Sequence, residues 1–491
     1  VQRVTHQLTR IVRGAGISLL GTGMDKVLGI AWLFIISRML GTEGLGLYYL
    51  ASSVLGFGLI FSNLGFDEAT RRFTAFYNGE GDVARIKGTL LMAARIAIPA
   101  GVIIALLLFL ASGFLSQEIF HKNGLDRFVK IFALSAPFAT ISSIMVASTL
   151  GLTLMQYPVY SNNLFKPIVM ILSVILFYNF LEPVTAVAFS VTVASVLTCG
   201  LNCYYASKHI PLFKKNIIAI TEPKKILKFS IPQTLTSITG FSGAYLDTLL
   251  LGRLSLAGEI GIYSLSLRTA AISLIFIEAF NSIFSPLIAE LLGRKEYKEL
   301  EVLFKVITRW VLTLSLPIFM IIFLFPKELL GIFGGGFTAG SSVLMVLAIG
   351  RLVALGTGPV GWLIVMAGYT KLIFLIRLAV LFVSLTLNLV LIPKYGALGA
   401  AWACCISVFA NNLAGVTAVY YIFRIHPYHL DILKPVFSAM IAVLITSVLK
   451  IGTIPSVILC ILVYGVSLLI FRLSEYDKLM LNKIKARLMP L

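Results

Sequence analysis

Apolar runs, most of them twenty residues or longer and separated by polar or glycine-rich turns, fill this chain from end to end. A helix rising 1.5 Å per residue needs roughly 20 apolar residues to cross a hydrocarbon layer about 30 Å thick. Fourteen stretches are read as spans: 14–37, 46–66, 88–115, 129–154, 158–181, 184–206, 229–251, 259–287, 304–326, 338–367, 372–392, 396–423, 433–449 and 453–471. The pattern predicts an all-α polytopic membrane protein with about fourteen transmembrane helices. The first stretch is too long for a cleavable signal peptide and lacks a small-residue cleavage site, so it is expected to act as an anchor.

A shift of 215 residues lays the second half of the chain over the first. Arg10 and Arg13 fall on Lys225 and Lys228, Arg38 on Arg253, and Gly46-Leu47-Tyr48 on Gly261-Ile262-Tyr263. Six spans separate the two copies, an even number, so the halves share orientation. A parallel repeat of this kind places a transporter's substrate site between its halves. The expected organisation is an N-lobe over 1–207, a basic linker over 208–228, a C-lobe over 229–424, and a segment 425–491 holding spans 13 and 14 and a tail. Pro211, Pro223 and, up to Lys225, five lysines mark the linker.

Charge then refines the picture. Forty Lys and Arg stand against twenty-one Asp and Glu, a net +19, in a chain that is 58% hydrophobic with a mean hydropathy of +0.97. Such a balance in a soluble chain would suggest nucleic acid; threaded between membrane spans it sets orientation instead. With the N-terminus inside, the segments facing the cytoplasm hold twenty-five Lys and Arg, among them Lys208, Lys214, Lys215 and the tail residues Arg472, Lys478, Lys483, Lys485 and Arg487. The outer segments hold eight, including Lys122, Arg127, Lys327 and Lys450. That excess is expected to fix both termini in the cytoplasm and the protein in the cytoplasmic membrane.

The remaining seven cations, Lys26, Arg95, Lys166, Arg268, Arg309, Arg351 and Arg377, fall inside apolar spans, where a charge is costly and usually functional. Lys26, Arg268 and Arg351 are the deepest; Arg95, Lys166, Arg309 and Arg377 lie close enough to a span end to reach the interface along their stems. Clustered cations suit an anion such as phosphate, whose oxygens accept paired hydrogen bonds. Asp25 precedes Lys26 near the middle of the first span, about 100° away around the helix. At the end of the second span, Asn63, Asp67 and Arg71 recur at four-residue spacing, as do Glu68 and Arg72, which reads as a gate or as a salt-bridged helix end. Glu278 lies ten residues beyond Arg268. Asp25, Asp67, Glu68, Arg71, Asp247 and Glu278 are the candidates for coupling or gating.

Other chemistry is sparse. Phe333-Gly-Gly-Gly-Phe337 reads as a turn, since no Gly-Lys-Ser/Thr follows. The five cysteines fall in expected spans and the five histidines in terminal or loop segments read as solvated; no metal site and no cofactor are expected. No nucleophile–base constellation suggests an enzyme. Polar residues such as Asn162, Asn163, Gln233, Thr234 and Asn281 are scattered without a readable code.

Three segments carry a resemblance. They are Ser37 to Tyr48 running into Leu64-Gly-Phe-Asp-Glu-Ala69; Ile231-Pro232 through Asp247, Gly261-Ile-Tyr263 and Pro286-Leu-Ile-Ala-Glu290; and Leu387 to Trp402. On these the chain resembles the multidrug/oligosaccharidyl-lipid/polysaccharide exporter superfamily, in its polysaccharide-biosynthesis branch of lipid-linked oligosaccharide flippases. The resemblance implies two six-helix lobes in a V shape that open alternately, with two further helices bordering a groove for a lipid tail. It implies an undecaprenyl pyrophosphate-linked glycan as substrate. In the related lipid II flippases, cations of the first and eighth helices contact the pyrophosphate, and Lys26 and Arg268 are the matching positions. Lys26 stands where those flippases usually have Arg, and Trp32 stands where a second cation would be expected, which favours another polyprenyl-linked sugar over lipid II.

The sequence therefore points to a flippase for a lipid-linked oligosaccharide, driven by a proton or Na+ gradient or by the membrane potential. Its partners would be the lipid-linked substrate, membrane lipids, and glycosyltransferases or a polymerase of the same pathway, with no nucleic acid. The alternatives are a lipid II flippase, a cation-coupled multidrug antiporter, a membrane-embedded polymerase or ligase, and a scaffold. Neutralising Lys26 or Arg268 is expected to abolish export without changing protein abundance.

Overall fold

The computed structural model describes residues 2–211, 217–449 and 452–471, and every regular element among them is a helix. Lys214, Lys215, Lys450 and the basic tail from Arg472 to Arg487 lie outside the described residues. Ten helices are long and apolar enough to cross a membrane, or eleven if one bent pair is a single span. The chain forms two compact units, 1–264 and 265–491.

Unit 1 begins with α1 (Gln2–Asn63), α2 (Phe66–Glu80) and α3 (Val83–Phe114). There follow α4 (Leu125–Ala133), α5 (Ala136–Gly151), the short α6 (Gln156–Pro158), a π-helical segment Val159–Phe165, α7 (Lys166–Tyr178) and α8 (Pro183–His209). It closes with α9 (Pro223–Leu254) and the start of α10 (Ala257–Ala271). The 62 residues of α1 are two stretches broken at Gly41, whose φ of 62° and ψ of −167° a side chain would resist. Lipid tails offer no hydrophobic drive for helices to associate, so packing rests on small residues. Accordingly α8 buries Ala186, Ala188, Ser190, Ala194 and Ser195 where it meets α5 and α7.

Two elements depart from expectation. Residues 66–80, read as the end of the second span and a loop, form the separate helix α2, because Leu64 (φ 46°) and Gly65 (φ 70°) end α1. Its face of Phe66, Ala69, Thr70, Phe73 and Tyr77 is buried at helical spacing, and the charges on its other face kept mean hydropathy low. The second is α9, expected to open the C-lobe, which lies within unit 1 because α1 and α2 pack along it. It is absent from the ten apolar spans: Thr234, Thr236, Ser237 and Thr239 interrupt it, with hydroxyls bonded to the helix's own carbonyls.

The 215-residue repeat reappears as matched contacts. A Cβ on Gly46 would strike the carbonyl oxygen of Ala257, and a Cβ on Gly261 would strike that of Thr42, the residue one repeat before Ala257. Trp32 Nε1 donates to Tyr48 Oη at 3.3 Å, and one repeat later Tyr263 Oη donates to Asp247 Oδ2 at 2.6 Å.

Unit 2 continues with α11 (Ile275–Gly293), α12 (Tyr297–Leu324), α13 (Pro326–Phe333), α14 (Ser341–Thr357) and α15 (Val360–Met366). It ends with α16 (Thr370–Phe423), α17 (Leu433–Leu449) and α18 (Thr453–Ile470). The turn at Phe333–Phe337 links α13 to a 3-10 segment Gly335–Gly340. Within its 54 residues, α16 breaks at Gly396 (φ 54°), three residues after Pro393. Leu303, Phe304, Ile307, Val311 and Leu316 of α12 are at the centre of this unit's apolar core, and α17 and α18 pack on the same helix. Tyr464 of α18 donates to the Thr313 carbonyl at 2.8 Å.

Candidate functional site

Unit 1 encloses a cavity of about 640 Å³ between α1, α2, α5, α7 and α8. Asp25 and Trp32 enter from α1, Asp67, Glu68 and Arg71 from α2, and Ser142 and Ser143 from α5. Asn162 and Asn163 come from the π segment, Lys166 from the first turn of α7, and Ser195 and Thr198 from α8. Pro167 supplies a local reason for the π segment: proline has no N–H to donate, and its ring crowds the carbonyl four residues back, that of Asn163. The wider turn relieves that crowding just where the two asparagines meet the cavity.

The lining is held by hydrogen bonds. Buried Asn202 donates from Nδ2 to Ser142 Oγ at 2.7 Å and also reaches Asn162 Oδ1 at 3.5 Å. Ser143 Oγ donates to Asn63 Oδ1 at 2.9 Å. Asp25 and Lys166 interact electrostatically. At the cavity edge Arg71 pairs with Glu68 at 2.7 Å, and Asp67 Oδ1 accepts from the Glu68 amide at 2.9 Å. Burial pushes the Glu68 carboxyl above its ordinary range, Arg71 opposes that shift, and Asp67 adds to it. Three carboxylates and two cations thus share one hollow.

The residues singled out in the sequence are sorted by this geometry. Asp25, Asp67, Glu68, Arg71 and Lys166 come together around the cavity; Lys26, half-buried on α1, is not part of the lining. The break at Leu64–Gly65 separates Asn63 from Asp67 and Arg71, which remain together on α2, where Glu68 pairs with Arg71 three residues on. Arg72 lies over the Phe229 ring at 4.5 Å instead. Asp247 accepts from Tyr263. Arg95, Arg268, Glu278 and Arg377 are exposed on their own units, and Arg351 is half-buried in α14. Arg309 is buried, 8% exposed, and meets Asp431 Oδ2 at 3.5 Å in the loop before α17. Lys434 and His429 converge on the same carboxylate, at 2.8 and 3.1 Å. Gln233 and Thr234 on α9 and Asn281 on α11 stand outside the cavity lining, unlike Asn162 and Asn163.

A second polar cluster went unread in the sequence. Glu222, just before α9, accepts from Tyr77 Oη at 2.9 Å and pairs with Lys225 at 3.1 Å and Arg85 at 3.1 Å. Lys225 lies 5.1–5.7 Å from the ring centres of Phe73, Phe76 and Tyr77. Hydrogen bonds from Tyr77 and Lys225 hold the Glu222 carboxyl below its ordinary value, and those to Tyr77 and Glu222 raise the Lys225 ammonium. His209, read as a solvated residue, closes α8 with its Nε2 2.7 Å from Tyr157 Oη. Ser142, Ser143, Ser195, Thr198 and Asn202 were also passed over; their signal was polar side chains paired along otherwise apolar spans.

Known proteins share this sequence and fold. The chain is 27% identical over 232 residues to the probable low-salt glycan biosynthesis flippase Agl15 of Haloferax volcanii, a match covering 46% of this chain and 48% of that protein. It is 27% identical over 319 residues to the capsular polysaccharide biosynthesis protein CapF of Staphylococcus aureus, covering 60% and 78%. Thus the match to Agl15 spans about half the length of that relative. Among solved structures, lipid II flippase MurJ in an inward closed conformation superposes with a TM-score of 0.75 at 14% identity, covering 94% of this chain and 99% of MurJ. A multidrug resistance MATE family transporter in an inward-facing conformation gives 0.68 at 14% identity, covering 81% and 94%. These likenesses show a shared polytopic membrane fold. A MatE family model matches residues 232–393. The polysaccharide biosynthesis protein model matches residues 11–292, more than half of the chain, and the protein belongs to that family.

Proposed function

We propose that this protein is a flippase that carries a polyprenyl pyrophosphate-linked oligosaccharide from the cytoplasmic to the outer leaflet by alternating access, for cell-surface polysaccharide synthesis. The observation that carries the reading is the polar cavity among the spans of a polysaccharide biosynthesis family member. A sugar loses many hydrogen bonds to water on entering hydrocarbon. A cavity lined by amides, hydroxyls and charged groups replaces those bonds and lowers the barrier. In this reading both termini face the cytoplasm, the protein resides in the cytoplasmic membrane, and glycosyltransferases or a polymerase of the same pathway are its partners. No cofactor is required; H+ or Na+ would couple through Asp25, which interacts electrostatically with Lys166.

One observation favours a second reading. The carboxylate surplus of the cavity suits the cation-coupled multidrug antiporter. Reconstitution separates the two. Proteoliposomes holding the protein should move fluorescent polyprenyl pyrophosphate-linked oligosaccharide between leaflets, and Lys166→Met should lower the rate at least tenfold at equal protein content. Transport of cationic dyes, with no movement of the glycolipid, would replace the flippase reading by the antiporter.

A further inference from the structure

Resting on that reading, the geometry points to the unit 1 cavity as the place where the sugars of the cargo, rather than its diphosphate, are bound, with a preference for uncharged over acidic sugars. The volume of about 640 Å³ falls within the roughly 300–1,000 Å³ range of small-molecule pockets, ample for a sugar headgroup. A sugar hydroxyl both donates and accepts. Asn162 and Asn163 carry amides that do the same, Ser142 and Ser143 add hydroxyls, and Asp25 accepts from donors. Trp32 adds an apolar ring to the wall, matching the C–H faces of a pyranose.

Charge decides what is excluded. Asp25, Asp67 and Glu68 against Arg71 and Lys166 leave a net formal charge of −1. Both cations already interact with carboxylates, Arg71 as an ion pair with Glu68 and Lys166 electrostatically with Asp25. A diphosphate or a uronic acid would add negative charge beside a wall that already carries a surplus of it, and meets net repulsion. A neutral or N-acetylated sugar meets none. Buried Asn202 is a positioning residue, fixing Ser142 and Asn162 through its amide. Because the polar groups are organised in advance, a lipid without the sugar leaves them to water, which is how a hydrogen-bonding site discriminates.

The full-length protein in lipid nanodiscs tests this. Affinity is measured for sugar-free undecaprenyl pyrophosphate and for the same lipid carrying glucose, N-acetylglucosamine or glucuronic acid. At least one uncharged sugar should tighten binding about tenfold over the sugar-free lipid, and glucuronic acid should not. Asn163→Ala, and independently Asn162→Ser, should erase that gain while leaving affinity for the sugar-free lipid and the thermal midpoint unchanged. The inference is overturned if no sugar tightens binding, if glucuronic acid binds best, or if both variants weaken all four lipids equally. If the protein flips glycolipid yet shows one of those patterns, only the sugar assignment fails. If it binds none of the four lipids, the flippase reading fails with it.

Discussion

At the same register of the internal repeat, Trp32 donates to Tyr48 in one half and Asp247 accepts from Tyr263 in the other. The tyrosine is common to both and its partner is not. Between these pairs Gly46 and Gly261 meet, each facing a carbonyl supplied by the other copy. Further from the turn the copies separate completely: Asp25 and Lys26 in the first correspond to Gly240 and Phe241 in the second. The contrast teaches where a duplicated membrane hairpin is constrained. Backbone-to-backbone contact at the turn admits no side chain in either copy. Along the shafts hydrogen-bond capacity is kept while charge moves: the first copy carries Asp25 and Lys26, and the second carries Asp247 where the first has Trp32.

Three experiments break or sharpen the contrast. Gly46→Leu and Gly261→Leu should have the largest effect, each costing about 3 kcal/mol because the obstructing atom is a backbone carbonyl unable to turn aside. Membrane abundance and thermal midpoint should fall alike for both, and the double variant should lose much less than the two single losses added together. A normal midpoint for either would remove the symmetric contact from the account. Next, Tyr263→Phe should cost about 2 kcal/mol and Tyr48→Phe about 1, since a hydrogen bond to a carboxylate is stronger than one between neutral groups. Equal losses in chemical denaturation would mean that the change of partner carries no energetic consequence.

The smallest effect is expected at the approach to α9. The folded carboxyl of Glu222 titrates below its ordinary value of 4.5. Its contribution is therefore fully present above pH 4.5 and is lost as pH falls through the lower folded value. Glu222→Gln should lower the melting temperature slightly at neutral pH and flatten the acid limb of its pH dependence. An unchanged acid limb would show that the cluster with Tyr77, Lys225 and Arg85 does not titrate as one.

Much of the architecture was legible because membrane spans are set by length and apolarity, and the repeat was legible because glycine and tyrosine kept their spacing. What composition hid was local. The helix α2 escaped because hydropathy averages its buried face, Phe66 to Tyr77, with its charged one. The break at Leu64–Gly65 undid the spacing from Asn63 to Asp67, which holds only on an uninterrupted helix. The cavity was half visible: Asp25 and Lys166 stood out as charges in apolar spans, whereas Ser142, Asn162 and Asn202 gain meaning only when three separate helices bring them within hydrogen-bond reach. Arg309 stood out as an in-span charge as well, but its ion pair with Asp431, far off in sequence, became legible only in the fold.

The mutual contact of Gly46 and Gly261 has a consequence for substitution. Neither copy owns its own turn, since the space each glycine leaves open is filled by its twin's segment. A side chain at position 46 or 261 therefore meets the backbone of the other copy, so each half sets what the other can carry at its turn.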